Sequence, residues 1–128
     1  MKIGLVLSGG MVRGALQIGA LKAIREYLAP SEIEVFSCAS IGALNGYAFA
    51  TDRLKELEAL WLSVCADNSR LFINRAVKCS LFQNTVDRLY VPGDKLPGEF
   101  YIPLLNFKEK AVEYTNISAV PSEMYPTY

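Results

Sequence analysis

The run Ile3-Gly4-Leu5-Val6-Leu7 breaks into Ser8-Gly9-Gly10, and this junction limits what the chain can fold into more than any other feature. A short, nearly all-apolar segment reads as a strand buried on both faces, the pattern of a parallel sheet. Parallel strands need crossover helices, and one follows at once. From Gly14 to Leu28, residues Ala15, Ile18, Leu21, Ala23, Ile24 and Leu28 recur at threes and fours, and Pro30 supplies the stop. Glu32 to Ser37, with Ile33, Val35 and Phe36, predicts a second short strand. The segment Ser40-Ile41-Gly42-Ala43-Leu44-Asn45-Gly46 then turns directly into an apolar helical stretch reaching about Thr51. The outcome is a β-α-β-α unit whose two parallel strands are neighbours.

Beyond that unit the pattern is looser. Asp52 to Ala66 keeps helical spacing through Leu54, Leu57, Leu60, Trp61 and Val64, with Asp52 placed to cap the helix. Trp61 fits a packed helix face better than a ligand site. Leu71 to Leu89 has no firm period and reads as helix by default. Val91-Pro92-Gly93-Asp94 through Leu96-Pro97-Gly98 is punctuated as a loop, and Asp87 and Asp94 read as surface or loop residues. Phe100 to Phe107 and Ala111 to Tyr114 predict two strands joined by a turn at Lys108-Glu109-Lys110. Ser118 to Tyr128, with Pro121 and Pro126, offers no closing element and is expected to be a chain cut within its domain. At 128 residues and 52% hydrophobic, 1–128 reads as one globular domain.

Charge and residue usage exclude several functions. Thirteen Lys+Arg balance thirteen Asp+Glu, so no broad field draws nucleic acid, which is not an expected partner. Cys38, Cys65 and Cys79 form no CxxC pair and their number is odd, which argues against a disulfide framework. With no histidine either, no metal or other cofactor is expected, and reduced thiols suit a cytoplasmic setting. No apolar run approaches the roughly 20 residues of a membrane-spanning helix, so membrane contact is expected to be peripheral.

Two loops carry the candidate chemistry. Ser40 lies between a strand and a helix among small neighbours, Cys38-Ala39-Ser40-Ile41-Gly42. That is the context of a nucleophile elbow, in which a strained turn pushes the hydroxyl clear of the backbone. The helix that starts there aims its N–H groups and positive dipole end at developing negative charge. The bland alternative is a serine that simply caps the helix. The second loop, Ser8-Gly9-Gly10-Met11-Val12-Arg13-Gly14, offers N–H groups to an oxyanion or a phosphate. It fails the P-loop pattern because Ala15, not Lys, follows Gly14, and Met11 breaks a dinucleotide fingerprint. Adjacent parallel strands place their carboxyl ends side by side, so this loop and Ser40 are expected to be close. The lack of histidine excludes a Ser-His-Asp triad within the chain.

These motifs together, Gly4 to Gly10, Arg13-Gly14-Ala15 and Ser40 to Gly46, resemble the patatin-like phospholipase family. The resemblance is strong over 3–51 and weaker over Phe100 to Tyr114, where Tyr101-Ile102-Pro103 and Asn106 are similar to a later strand of the family. It implies an α/β fold of three α/β/α layers with a mainly parallel sheet. It implies a serine acyl-ester hydrolase acting on lipid or other acyl esters through a Ser-Asp dyad. Ser40 would be the nucleophile, and the N–H groups around Gly9, Gly10 and Met11 would form the oxyanion hole. Arg13 and Gly14 would complete the glycine-rich motif, and Cys38 and Gly42 would flank the elbow.

Three departures bear on activity. Met11 stands where the family carries a third glycine, and a side chain there costs roughly 1 kcal/mol or more if the position needs positive φ. Cys38 stands at the first glycine of the family's G-x-S-x-G, a mild intrusion. The family's catalytic aspartate precedes a glycine, and none of Asp52, Asp67, Asp87 or Asp94 does. The chain is therefore expected to stop before the segment that carries the catalytic aspartate. Two readings stay open: a lipid acyl hydrolase completed by an aspartate elsewhere, and an inactive fragment or degenerate homologue that binds lipid without turnover. A parallel sheet lacking later strands would leave an apolar edge, so homo-oligomers are expected. Arg13 stays divided between supporting the loop, meeting a head group, and lying solvated in the first helical turn.

Overall fold

The computed structural model describes residues 1–10, 13–67 and 83–127, without the side chains of 64–67 and 127. Its centre is a four-stranded sheet in the order β1 (Gly4–Leu7), β2 (Val35–Cys38), β3 (Glu99–Asn106), β4 (Ala111–Asn116). β1 pairs parallel with β2, and β2 parallel with β3, whereas β3 and β4 form an antiparallel hairpin. The expected neighbouring parallel strands are therefore present. So is the late hairpin, whose turn at 107–110 contains Lys110 at φ 49°.

Three helices follow the early strands: α1 (Gly14–Arg25), α2 (Ile41–Ala50) and α3 (Leu54–Asp67). Residues 83–89 are also helical, and the remainder of the weakly patterned stretch, 71–82, which includes Cys79, lies outside the described residues. No helix among the described residues is long and apolar enough to cross a membrane.

The register puts Leu5, Leu7, Phe36, Cys38 and Phe100 on one face of the sheet. α2 lies on that face, close enough that a Cβ added to Gly46 would come within 2.6 Å of Cys38 Sγ and 3.2 Å of Phe100 Cζ. Phe36 stacks on Phe100 with ring centroids 5.3 Å apart and meets Phe49 of α2 at 6.4 Å. This aromatic seam, with Leu21, Ile33 and Leu57, is wholly buried and holds large apolar side chains away from water.

Two expectations need correction. β1 is not buried on both faces: its exposure alternates, and Val6 is 76% exposed on the face away from α2, beside exposed Val35. The continuous apolar run hid this, because among the described residues the helices pack on the Leu7 face. Asp52 does not begin α3. It sits at φ 58° in the preceding turn, and its carboxylate accepts from Arg25 Nε at 2.9 Å instead.

The loop 90–98 is held down by charge. Arg53, just before α3, donates from both terminal nitrogens to the two Asp94 oxygens, each at 2.5 Å, and also to the Leu89 carbonyl at 2.9 Å. The Tyr47 hydroxyl and the Val91 N–H complete the set on Asp94. Asp94 thus lies in the loop as expected, with its side chain only 10% exposed. Burial alone would raise its pKa, but these donors together hold it below the ordinary carboxylate range.

Candidate active site

Ser40 occupies the single residue between the turn leaving β2 and the first residue of α2. Its backbone adopts φ 54°, ψ −127°, and its side chain makes no capping bond to the helix. A non-glycine residue in that region is strained by about 1–3 kcal/mol and persists only where its surroundings enforce it. The enforcing contacts are backbone ones: Ala39 N–H bonds Leu7 O at 2.9 Å, Gly42 N–H bonds Ala39 O at 2.9 Å, and Ala43 N–H bonds Ser40 O at 2.8 Å. The simple helix-cap reading of Ser40 therefore does not describe its geometry. The residue is exposed, in contrast to the buried helix that it precedes.

The glycine loop lies against it. A Cβ built on Gly9 would stand 3.1 Å from Ser40 Cβ and 3.8 Å from Ser40 Oγ. The ends of β1 and β2 thus bring together the two loops that sequence spacing predicts to be neighbours. The Gly42 and Ala43 N–H groups are bonded back into the turn, and the ten-residue helix α2 begins directly after Ser40. Gly10 accepts from Arg13 N–H at 3.1 Å, and the exposed Arg13 side chain folds back so that its Nε would be 3.8 Å from a Cβ on Gly10. Met11, expected beside Gly9 and Gly10, lies outside the described residues.

Gly14 and Gly42 set how closely the site's elements approach. A Cβ on Gly14 would meet Ile41 Cγ1 at 2.8 Å and Trp61 Cζ2 at 3.1 Å, and one on Gly42 would meet Leu7 O at 2.5 Å. Cys38, at the first position of the elbow, is fully buried with its thiol turned toward Gly46 rather than toward Ser40's exposed side. Burial pushes the Cys38 thiol up to about 12, against a smaller opposing pull from a hydrogen bond with the Leu7 backbone.

One residue that carries this arrangement escaped the site reading. Asn45 is wholly buried, donates to Gly14 O at 2.9 Å and Gln17 Oε1 at 2.8 Å, and accepts from Trp61 Nε1 at 3.4 Å. Gln17 in turn donates to Ser8 O at 2.9 Å. A polar chain therefore ties the glycine loop to α2, the helix that Ser40 precedes. The available signal was a lone amide in an otherwise apolar helix, since buried polar groups are found where they have partners. Trp61 packs as expected and adds this one bond.

Beside Ser40 opens an apolar cavity of about 200 Å³, walled by Ala43, Leu44 and Tyr47 of α2, by Val86 and Leu89, and by Ile102 of β3, with Tyr125 also contributing. The site thus joins an exposed, strained serine, a glycine loop packed against it and an apolar chamber. That combination suits attack on the carbonyl of an ester with a hydrophobic acyl group.

A family profile described as patatin-like phospholipase matches residues 5–117. Lysophospholipase nte1 of Aspergillus terreus is 46% identical over 50 residues, which are 39% of this chain and 3% of that protein. Neuropathy target esterase sws of Drosophila sechellia is 51% identical over 51 residues, 40% of this chain and 3% of that protein, and its counterpart in Drosophila persimilis matches to the same extent. The matched segment is therefore a small part of each relative's length. No solved structure gives a significant match.

Proposed function

The chain belongs to the patatin-like phospholipase family, and on that premise we propose that it is the nucleophile-bearing part of a serine-dependent lipid acyl hydrolase. Ser40 attacks the ester carbonyl, the N–H groups of Gly9, Gly10 and Met11 hold the oxyanion, and water releases the acyl group in a second step. The observation that carries this reading is Ser40 at φ 54°, exposed and without a side-chain cap on α2, with its side chain packed against Gly9. Arg13 supports the loop rather than the ester, because its side chain lies along Gly10.

The base is the open half of the mechanism. The family resemblance calls for an aspartate before a glycine, and the aspartates of this sequence do not fit. Asp52 is bonded to Arg25, Asp87 to Gln83, and Asp94 to Arg53 and Tyr47, while the side chain of Asp67 lies outside the described residues. We therefore assign the base to an aspartate outside these residues. The same observation favours a second reading, in which the chain as given binds acyl lipid and does not turn it over.

Hydrolysis of short p-nitrophenyl esters tests the proposal in a version of the protein that includes the missing aspartate. Activity abolished by Ser40→Ala supports it, and undiminished activity in that variant contradicts it. Self-association is also proposed, through the edge strand β4, where Val112 and Tyr114 are 58% and 65% exposed. Sedimentation of the chain over a concentration series checks it: a monomer throughout contradicts it.

A further inference from the structure

We propose that the cavity beside Ser40 is an acyl-chain site with a built-in length limit, closed at its far end by Tyr47 and Tyr125, and that it takes chains of about eight carbons or fewer. This rests on the hydrolase reading for the orientation of the chain, with the carbonyl at Ser40.

Two features of the cavity set the limit independently. Its volume is about 200 Å³. An apolar protein cavity of about 150 Å³ accommodates benzene, six carbons, so about 200 Å³ corresponds to roughly eight. The second feature is length. Tyr47 lies seven residues beyond Ser40, on the same side of α2, and both line the cavity. At 1.5 Å rise per residue this separates them by about 10 Å, which roughly eight carbons span as a zig-zag of ~1.5 Å bonds.

The far wall is braced by polar and aromatic contacts. The Tyr47 ring is held by its hydroxyl's bond to Asp94, itself clasped by Arg53, and Tyr125 meets that ring edge to face with centroids 6.3 Å apart. Lengthening the chamber would require breaking that aromatic contact or the polar clasp behind it. The sides combine the aliphatic Ala43, Leu44, Val86, Leu89 and Ile102 with the aromatic Phe100 and Tyr90. Such a mainly apolar lining rewards methylenes over a sugar or a charged group.

The experiment is calorimetric titration of the 128-residue chain carrying Ser40→Ala with straight-chain alkanoates of four to fourteen carbons, below their micelle concentrations. The affinity should rise roughly fourfold per methylene up to about eight carbons and then level or fall. Tyr125→Ala should move the break to longer chains, and Val86→Trp should move it to shorter ones. A rise that continues unbroken to fourteen carbons, no binding at any length, or a break unmoved by both variants overturns the proposal. Fluorophosphonate labelling of the unsubstituted chain separates this from the hydrolase reading. Labelled Ser40 with an unbroken series rejects the length limit alone, whereas a clear break without labelling keeps the acyl site and rejects the activated serine.

Discussion

The α-carbon of Gly42 faces the Leu7 carbonyl so closely that a Cβ there would lie 2.5 Å from that oxygen and 2.9 Å from the Ser8 oxygen. The first turn of α2 thus rests directly on the end of β1, and Ser40 is held in its strained turn between them. Gly42→Ala should destabilise the fold by about 1–3 kcal/mol, since the obstacle is backbone rather than a flexible side chain. It should also lower labelling of Ser40 by an active-site probe. Denaturant unfolding together with labelling rate checks both, and a variant as stable as the parent would contradict the packing described.

Asn45 makes a second test. Asn45→Ala leaves the Gly14 carbonyl and the Gln17 amide without their buried partner, at a cost of about 1–3 kcal/mol. Asn45→Asp should be worse, because a carboxylate would face the acceptors Gly14 O and Gln17 Oε1 to which the amide now donates. Thermal unfolding of the two variants ranks them, and an Asp variant at least as stable as the Ala variant would count against this hydrogen-bond pattern.

Cys38 should be silent. Its thiol is buried and pushed up to about 12, so almost none is thiolate near neutral pH, and thiolate is the reactive form. Peptide mapping after treatment with a thiol reagent should find Cys38 unmodified in the folded protein and modified in denaturant. Rapid native modification would mean that the elbow opens.

The β-α-β-α unit was legible because its signals are local: an apolar run, a glycine break, helical spacing, and small residues around Ser40. The closeness of Gly9 to Ser40 followed from parallel topology alone. Two other features were not legible. The exposed face of β1 was hidden because Val6 and Leu7 are equally apolar, and only the placement of α2 distinguishes their sides. The Arg53–Asp94 clasp joins residues 41 positions apart in a loop with no periodicity, so nothing in the chain near either residue announces it. Asn45 was visible as an anomaly, but its partners Gly14, Gln17 and Trp61 come from two other helices.

Acid should expose that clasp. The Asp94 carboxyl is held below its ordinary range in the fold, so the unfolded chain binds the proton more readily. The resulting stability is present above about pH 4, where an unfolded aspartate is ionised, and is lost as pH falls through the lower folded value. Asp94→Asn should therefore cost about 2–3 kcal/mol at neutral pH, with the gap narrowing below about pH 4. Denaturant titrations of both proteins across pH 2.5 to 7 check this, and a gap that does not change with pH would contradict it.

The central claim is that Ser40 is an activated nucleophile, and intact-mass analysis after incubation with a fluorophosphonate, followed by peptide mapping, tests it most directly. The account predicts a single adduct, on Ser40, that is absent from Ser40→Ala. No adduct, or one on another serine, would contradict it.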